Sequence, residues 1–265
     1  MNVQGPSSKE FLLDAVVQTL GEDALESVEP SDFGEPASVS APAHEVPICI
    51  TQDSIPVNLR NGPSDIVVGL NSEVPRWVPN SVVKWAAWRA GFKTQEDANH
   101  AAEQLAIAAD KWNQADVGIT FEWVPLAKDA TFVLCHGGAK GPVLASAFFP
   151  NYNDLNYMFV YSSAFSSGYR GNMWKIFLHE LGHVLGLRHE FAIEGDAEWG
   201  LKKEGLGAVQ LDDRNEKSVM NYRDPLPEIQ QSDIDSTKKF YSLREDADGN
   251  PPKVGQTRVS DYSPQ

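Results

Sequence analysis

Between residues 94 and 115 the apolar positions Ala101, Leu105, Ala108 and Trp112 recur three and four apart, the period of a helix with one buried face, and Thr94 stands where a cap belongs. Just upstream the period changes to two. In SVVKWAAW, Val83 and Trp85 oppose Val82, Lys84 and Ala86, which predicts a strand. ITFEWVPL, ATFVLCHGG (closed by Gly137 and Gly138), VLASAFFP (ended by Pro150) and NYMFVYSSAF predict four more. A second long helix starts near Asn172, with Phe177, Leu181, Val184 and Leu185 placed to face a core. SDIDSTKKFYSL predicts a closing helix capped by Ser232, with Ile234, Lys238 and Tyr241 at turn spacing. ICITQDSIPVNL and DIVVGL begin to alternate as well, but prolines interrupt them.

The polar stretches set the organisation. SDFGEPASVSAPAHEVP has too little apolar content for a packed element and reads as linker, and the 22 residues after Leu243 read as a disordered tail. Residues 11–20 form a short amphipathic pattern. Asp14 breaks its apolar run and no basic start precedes it, so it reads as a short amphipathic helix rather than a secretory signal. The expected arrangement is an acidic extension over residues 1–74, one folded domain over 75–243 and a tail over 244–265. At 42% hydrophobic residues the chain can bury a substantial core. The net charge of −15 argues against nucleic acid and anionic membranes as partners, and no run of about 18 apolar residues spans a bilayer. The charge is uneven. Residues 1–60 hold ten acids against Lys9 and Arg60, which suggests a solvated leader. Cys49 and Cys135 allow one bridge or two free thiols.

The predicted second helix carries HELGHVLGLRHE. Residues four apart on a helix differ by about 40° in azimuth and roughly 6 Å in height, so His179 and His183 project from one face and can share a cation. Gly186 falls where a helix often ends in a left-handed residue, so the chain can reverse and return His189 as a third ligand. Three imidazoles without a thiolate suit zinc and leave a fourth position for water, whose pKa a bound metal lowers to about 7. Glu180 adjoins the first ligand but lacks the geometry of a further one; its carboxylate can take that water's proton. Five specified residues within eleven arise by chance on the order of once in 10⁵ such chains.

The pattern His179-Glu180-x-x-His183-x-x-Gly186-x-x-His189 resembles the metzincin zinc endopeptidases, and Ser218-Val219-Met220-Asn221-Tyr222 resembles their methionine turn. The resemblance covers about residues 77–243. Glu190 after the third histidine is similar to astacins, whereas VLASAFFP and the closing helix are similar to matrixins, although Ser146 stands where matrixins usually carry a histidine. It implies an α+β, zincin-like fold: a twisted mixed sheet with an active-site helix and a small C-terminal subdomain. By the same likeness one Zn²⁺ per chain is held by His179, His183 and His189, Glu180 is the general base, Met220 lies beneath the metal, and Tyr222 is a further ligand or oxyanion donor. The implied activity is hydrolysis of protein or peptide substrates by a monomer. A catalytically silent metzincin-like peptide-binding module is the alternative.

Residues 144–149 are expected to be the sheet edge that pairs with an extended peptide. The acidic leader reads as a segment that keeps such an enzyme latent by placing a donor on the metal, with Cys49 first, then Glu35 and Asp32. His44, His100 and His136 lack partners at ligand spacing and read as surface or satisfied-core residues; Arg188 and Lys175 read as solvated. Family habit points outside the cell, the leader does not, and the compartment stays open.

Overall fold

The computed structural model describes residues 7–31, the backbone of 48–49, and residues 73–204 and 208–265. Its centre is a mixed sheet in which successive side chains alternate between two apolar faces. Strands β3 (Val82–Ala87), β4 (Thr120–Trp123), β5 (Phe132–His136) and β7 (Asn156–Val160) run parallel, and β6 (Val143–Ser146) is antiparallel to β7. With β1 (Ile48–Cys49) the strand order is β1-β6-β7-β5-β3-β4.

One face takes Val83, Trp85, Phe132, Leu134, Met158 and Val160 into the main core, against helices α2 (Gln95–Ala115) and α3 (Met173–Val184). Both helices lie where the 3.6-residue period predicts, and the Thr94 side chain accepts from the Asp97 amide. The indole of Trp112 on α2 donates to Leu178 O of α3 at 3.0 Å, so the helix pair is locked by a buried polar contact as well as by packing. The other face presents the alternate residues Ala86, Val133 and Cys135. Leu13 from α1 (Ser8–Leu20) packs on them. The Trp88 indole donates to Ala24 O, and the Val28 amide donates to Ala87 O at 2.8 Å. Residues 7–31 are therefore not a solvated leader: Leu13, Ala24 and Val28 are buried, because a sheet apolar on both faces needs cover on both.

Three other expectations change. The edge of the sheet is not β6 itself, because Ile48 and Cys49 pair with Val143 and Ala145 in parallel. Residues after Leu243 are ordered rather than a disordered tail. Strands β8 (Lys253–Val254) and β9 (Thr257–Tyr262) form a hairpin whose second arm runs parallel to β2 (Glu73–Trp77), making a second sheet. The closing helix α4 (Gln231–Ser242) starts before Ser232; its cap is Gln230, whose amide donates to Asp233, a better acceptor one turn in. The alternating stretches in the fifties and sixties and the linker lie outside the described residues. No helix among the described residues is long and apolar enough to cross a membrane. The architecture is the expected α+β one, a mixed sheet with the histidine-bearing helix packed on it and a smaller C-terminal portion.

Candidate metal centre

Helix α3 is apolar nearly all round, so it is buried all round and carries its polar residues inside. Glu180 is 0% exposed and His183 1%. The helix ends as Gly186 predicts. The Leu187 amide donates to Gly182 O at 2.9 Å and the Gly186 amide to His183 O at 2.8 Å, a Schellman closure with Gly186 at φ 92°. A side chain there would be strained and would also meet Pro75 O of β2 at 2.5 Å. The reversal is thus fixed by conformation and by close backbone approach together.

It brings His189 back over the helix. Its Nε2 lies 3.1 Å from His179 Nε2 and 3.2 Å from His183 Nε2. A tetrahedral zinc with bonds of 2.0–2.1 Å spaces its nitrogens by about 3.3 Å, so both separations suit that ion. Their protonation fits too. His179 Nδ1–H donates to Val219 O at 2.7 Å and His183 Nδ1–H to Leu187 O at 2.8 Å; a carbonyl only accepts, so each ring keeps its lone pair on Nε2. Burial, reinforced by the neighbouring His189, pushes His179 down to about 3 and His183 well below its usual range, so both are neutral at physiological pH. Three lone pairs facing one another at such distances repel unless a cation lies among them. These three side chains form the one metal-competent histidine, cysteine or carboxylate group among the described residues.

The methionine turn closes the site from below. A Cβ on Gly182 would sit 2.3 Å from Met220 Sδ, so helix and turn touch through a glycine. Asp233 of α4 accepts from the Val219 amide at 3.0 Å and so holds the carbonyl that orients His179. The Tyr222 ring lies 5.4 Å from that of His179 and 4.7 Å from that of His189. Phe149, just beyond β6, meets His183 edge-on at 5.6 Å. The structure thus brings together His179, His183, His189, Met220 and Tyr222, with Glu180 next to His179 on α3.

Two residues at the site were not singled out from the sequence. Phe191 stacks on His189, ring centres 4.7 Å apart and 8° from parallel. Glu204 receives His189 Nδ1–H on one oxygen and Arg188 Nη2 at 2.6 Å on the other. Burial alone would raise that carboxyl; the hydrogen bonds from His189 and Arg188, with the Arg188 charge, outweigh it and hold the group below the usual range. Both residues sit in a stretch without periodicity, and no spacing signal marks either.

Arg188 is not solvated: its side chain is 7% exposed, and Lys175, 16% exposed, pairs with Glu228 at 2.8 Å. His100 contacts Arg170 O and His136 contacts Ser162 Oγ, as satisfied histidines do. Cys135 is a free, buried thiol, and burial raises its pKa to about 12. His44 and the Cys49 side chain lie outside the described residues. Glu190 lines a pocket with Ser218, Asp233 and Phe240 that His189 and Met220 border but His179, His183 and Tyr222 do not.

Residues 73–195 match the model of the Matrixin family (Peptidase M10). The match contains the central strands and all three histidines and stops short of Met220. Among solved structures, High choriolytic enzyme 1, a hatching enzyme zinc-protease from Oryzias latipes (Medaka fish), aligns with 14% identity over 64% of this chain and 95% of its own, at a TM-score of 0.41. No curated protein matches the chain in sequence.

Proposed function

We propose that the chain is a zinc-dependent endopeptidase of the metzincin type with one Zn²⁺ per chain, a reading supported by the matrixin match over residues 73–195 and by the three-histidine cluster. One observation carries the reading: three buried Nε2 lone pairs converge at zinc spacing with Glu180 next to the first of them in the same helix. When bound, the metal supplies Lewis acidity toward water and a peptide carbonyl. His179, His183 and His189 hold it. Glu180 takes the proton from the attacking water and later gives it to the leaving amine. Tyr222, beside two of the ligands, donates to the oxyanion that develops on the carbonyl. An extended peptide is held along β6, whose backbone positions the scissile bond without reading sequence. The test is cleavage of a peptide library with and without a zinc chelator. Cleavage that survives full metal removal ends this reading, and a zinc-loaded protein that binds peptides without cutting them favours the silent binding module.

For Tyr222, the expected outcome of Tyr222→Phe is a kcat lowered by up to about 10³-fold, the scale of losing one oxyanion donor, with zinc content unchanged. Unchanged kcat reduces the residue to packing among His179, His189 and Phe191.

The proposal extends to residues 1–74 as a segment that keeps the enzyme latent. The parallel pairing of Ile48 and Cys49 with β6 supports this, because it fills the edge that a peptide substrate needs. Residues 7–31 cover a sheet face, so the full chain is the right object for the test. Replacing both Ile48 and Cys49 with proline removes their backbone donors and is expected to raise turnover at constant zinc content. Cys49→Ser keeps those donors, so a rise in that variant alone assigns the brake to the thiol. Flat activity in both removes the latency reading.

A further inference from the structure

The three histidines are held in two different ways. His179 and His183 stand on a helix, and their Nδ1–H groups are received by backbone carbonyls: Val219 O in the turn that carries Met220 and Leu187 O just past the helix end. His189 lies past the helix in no regular element. Its Nδ1–H is received by a side chain fifteen residues on.

That side chain is placed with care. The Glu204 amide donates to Ala192 O at 2.9 Å. Between them Asp196 and Leu201 exchange two backbone bonds of 2.8 Å, and the Gly195 amide donates to Phe191 O at 2.7 Å. The chain from His189 to Glu204 is therefore a loop closed upon itself that returns a carboxylate to the ligand at its own start. The second carboxylate oxygen is fixed by Arg188 on the other side of the ligand. We propose that Glu204 is a positioning residue: it fixes the tautomer and plane of His189, so that Nε2 faces the other two nitrogens, and it strengthens that nitrogen as a donor. A carboxylate one hydrogen bond from a ligating imidazole has that effect on ring orientation and donor strength, and its loss typically costs about 10–100-fold in metal affinity.

The inference rests on the zinc reading, and the experiment separates the two. Zinc affinity is measured by competition with a chromophoric chelator in the full chain and in Glu204→Ala, Glu204→Gln and Arg188→Ala, and the visible spectrum of each cobalt-substituted protein is recorded. Glu204→Ala is expected to bind zinc about 10–100-fold more weakly and to show an altered cobalt band. Glu204→Gln, which keeps an acceptor but not the charge, is expected to fall between it and the parent chain. Arg188→Ala, which removes the ion pair but leaves the bond to His189, is expected to stay close to the parent. If Arg188→Ala matches Glu204→Ala in affinity and spectrum, the carboxylate acts as a loop staple and the inference fails. It fails equally if Glu204→Ala binds zinc as tightly as the parent chain does. Failure of the parent chain itself to bind zinc overturns the zinc reading instead. The proton on His189 gives a metal-free check: its Nδ1–H resonance should be protected from exchange in the apo protein and lost in Glu204→Ala.

Discussion

Glu180→Ala is expected to keep its zinc and to lose about 10²–10⁴-fold in peptide turnover, the range over which a positioned general base acts. His183→Ala is expected to lose both. The contrast follows from where the groups point. His183 Nε2 is within 3.2 Å of its neighbour in the cluster and has no substitute among the described residues. Glu180 shares the helix but is not part of that metal-competent group, so its removal deletes a proton acceptor and not a ligand. Metal content after gel filtration and initial rates on one cleaved peptide are the two measurements. Loss of zinc in Glu180→Ala makes the carboxylate a structural partner of the ligands, and full turnover without it moves the base elsewhere.

Much of the fold and most of the site could be read from local sequence, because local physics decides them. The helix over Gln95–Ala115 needs only its apolar stripe and Thr94, and the histidine helix needs only its spacing and a glycine able to take a positive φ. What could not be read depends on distant partners. Glu204 reaches His189 through loop closure, which leaves no period in the sequence. TRVSDY has too few apolar residues to announce a strand, and it becomes one because β2, about 180 residues earlier, offers a free edge. Residues 22–31 read as acidic and weakly structured, yet Trp88 and Trp123 offer indole donors that their carbonyls satisfy. Ser232 lost the capping role to Gln230, whose amide donates to Asp233, and Asp233 also accepts from Val219 beside Met220, so tertiary demand outranked the local preference.

Arg76 on β2 is 2% exposed and is surrounded by acceptors: Asp261 of β9 at 2.5 Å, Phe240 O at 2.5 Å and Leu243 O at 3.1 Å. Its guanidinium also lies over the Phe240 and Tyr241 rings. One buried cation therefore joins β2, the end of α4 and the last strand. Removing one partner of a buried pair costs about 3–5 kcal/mol. Asp261 is 38% exposed and can rehydrate, so Arg76→Ala should cost about 3 kcal/mol, the lower end of that range. At about 2–4 °C per kcal/mol for a chain of this size, Tm is expected to fall by about 6–12 °C. Ending the chain at Leu243 is the stronger perturbation, because it leaves Arg76 charged, buried and without Asp261, and strips β2 of its pairing. The damage should reach the metal. Pro75 O of the same strand abuts Gly186, and the Trp77 indole donates to Val184 O at 2.8 Å, so β2 holds the helix end at which the chain turns toward His189. The truncated protein is accordingly expected to bind zinc more weakly even where it remains folded. Calorimetry and chelator competition read the two effects separately. A truncated chain with the parent's Tm and zinc affinity shows that the tail strands are dispensable and that Arg76 is satisfied without them.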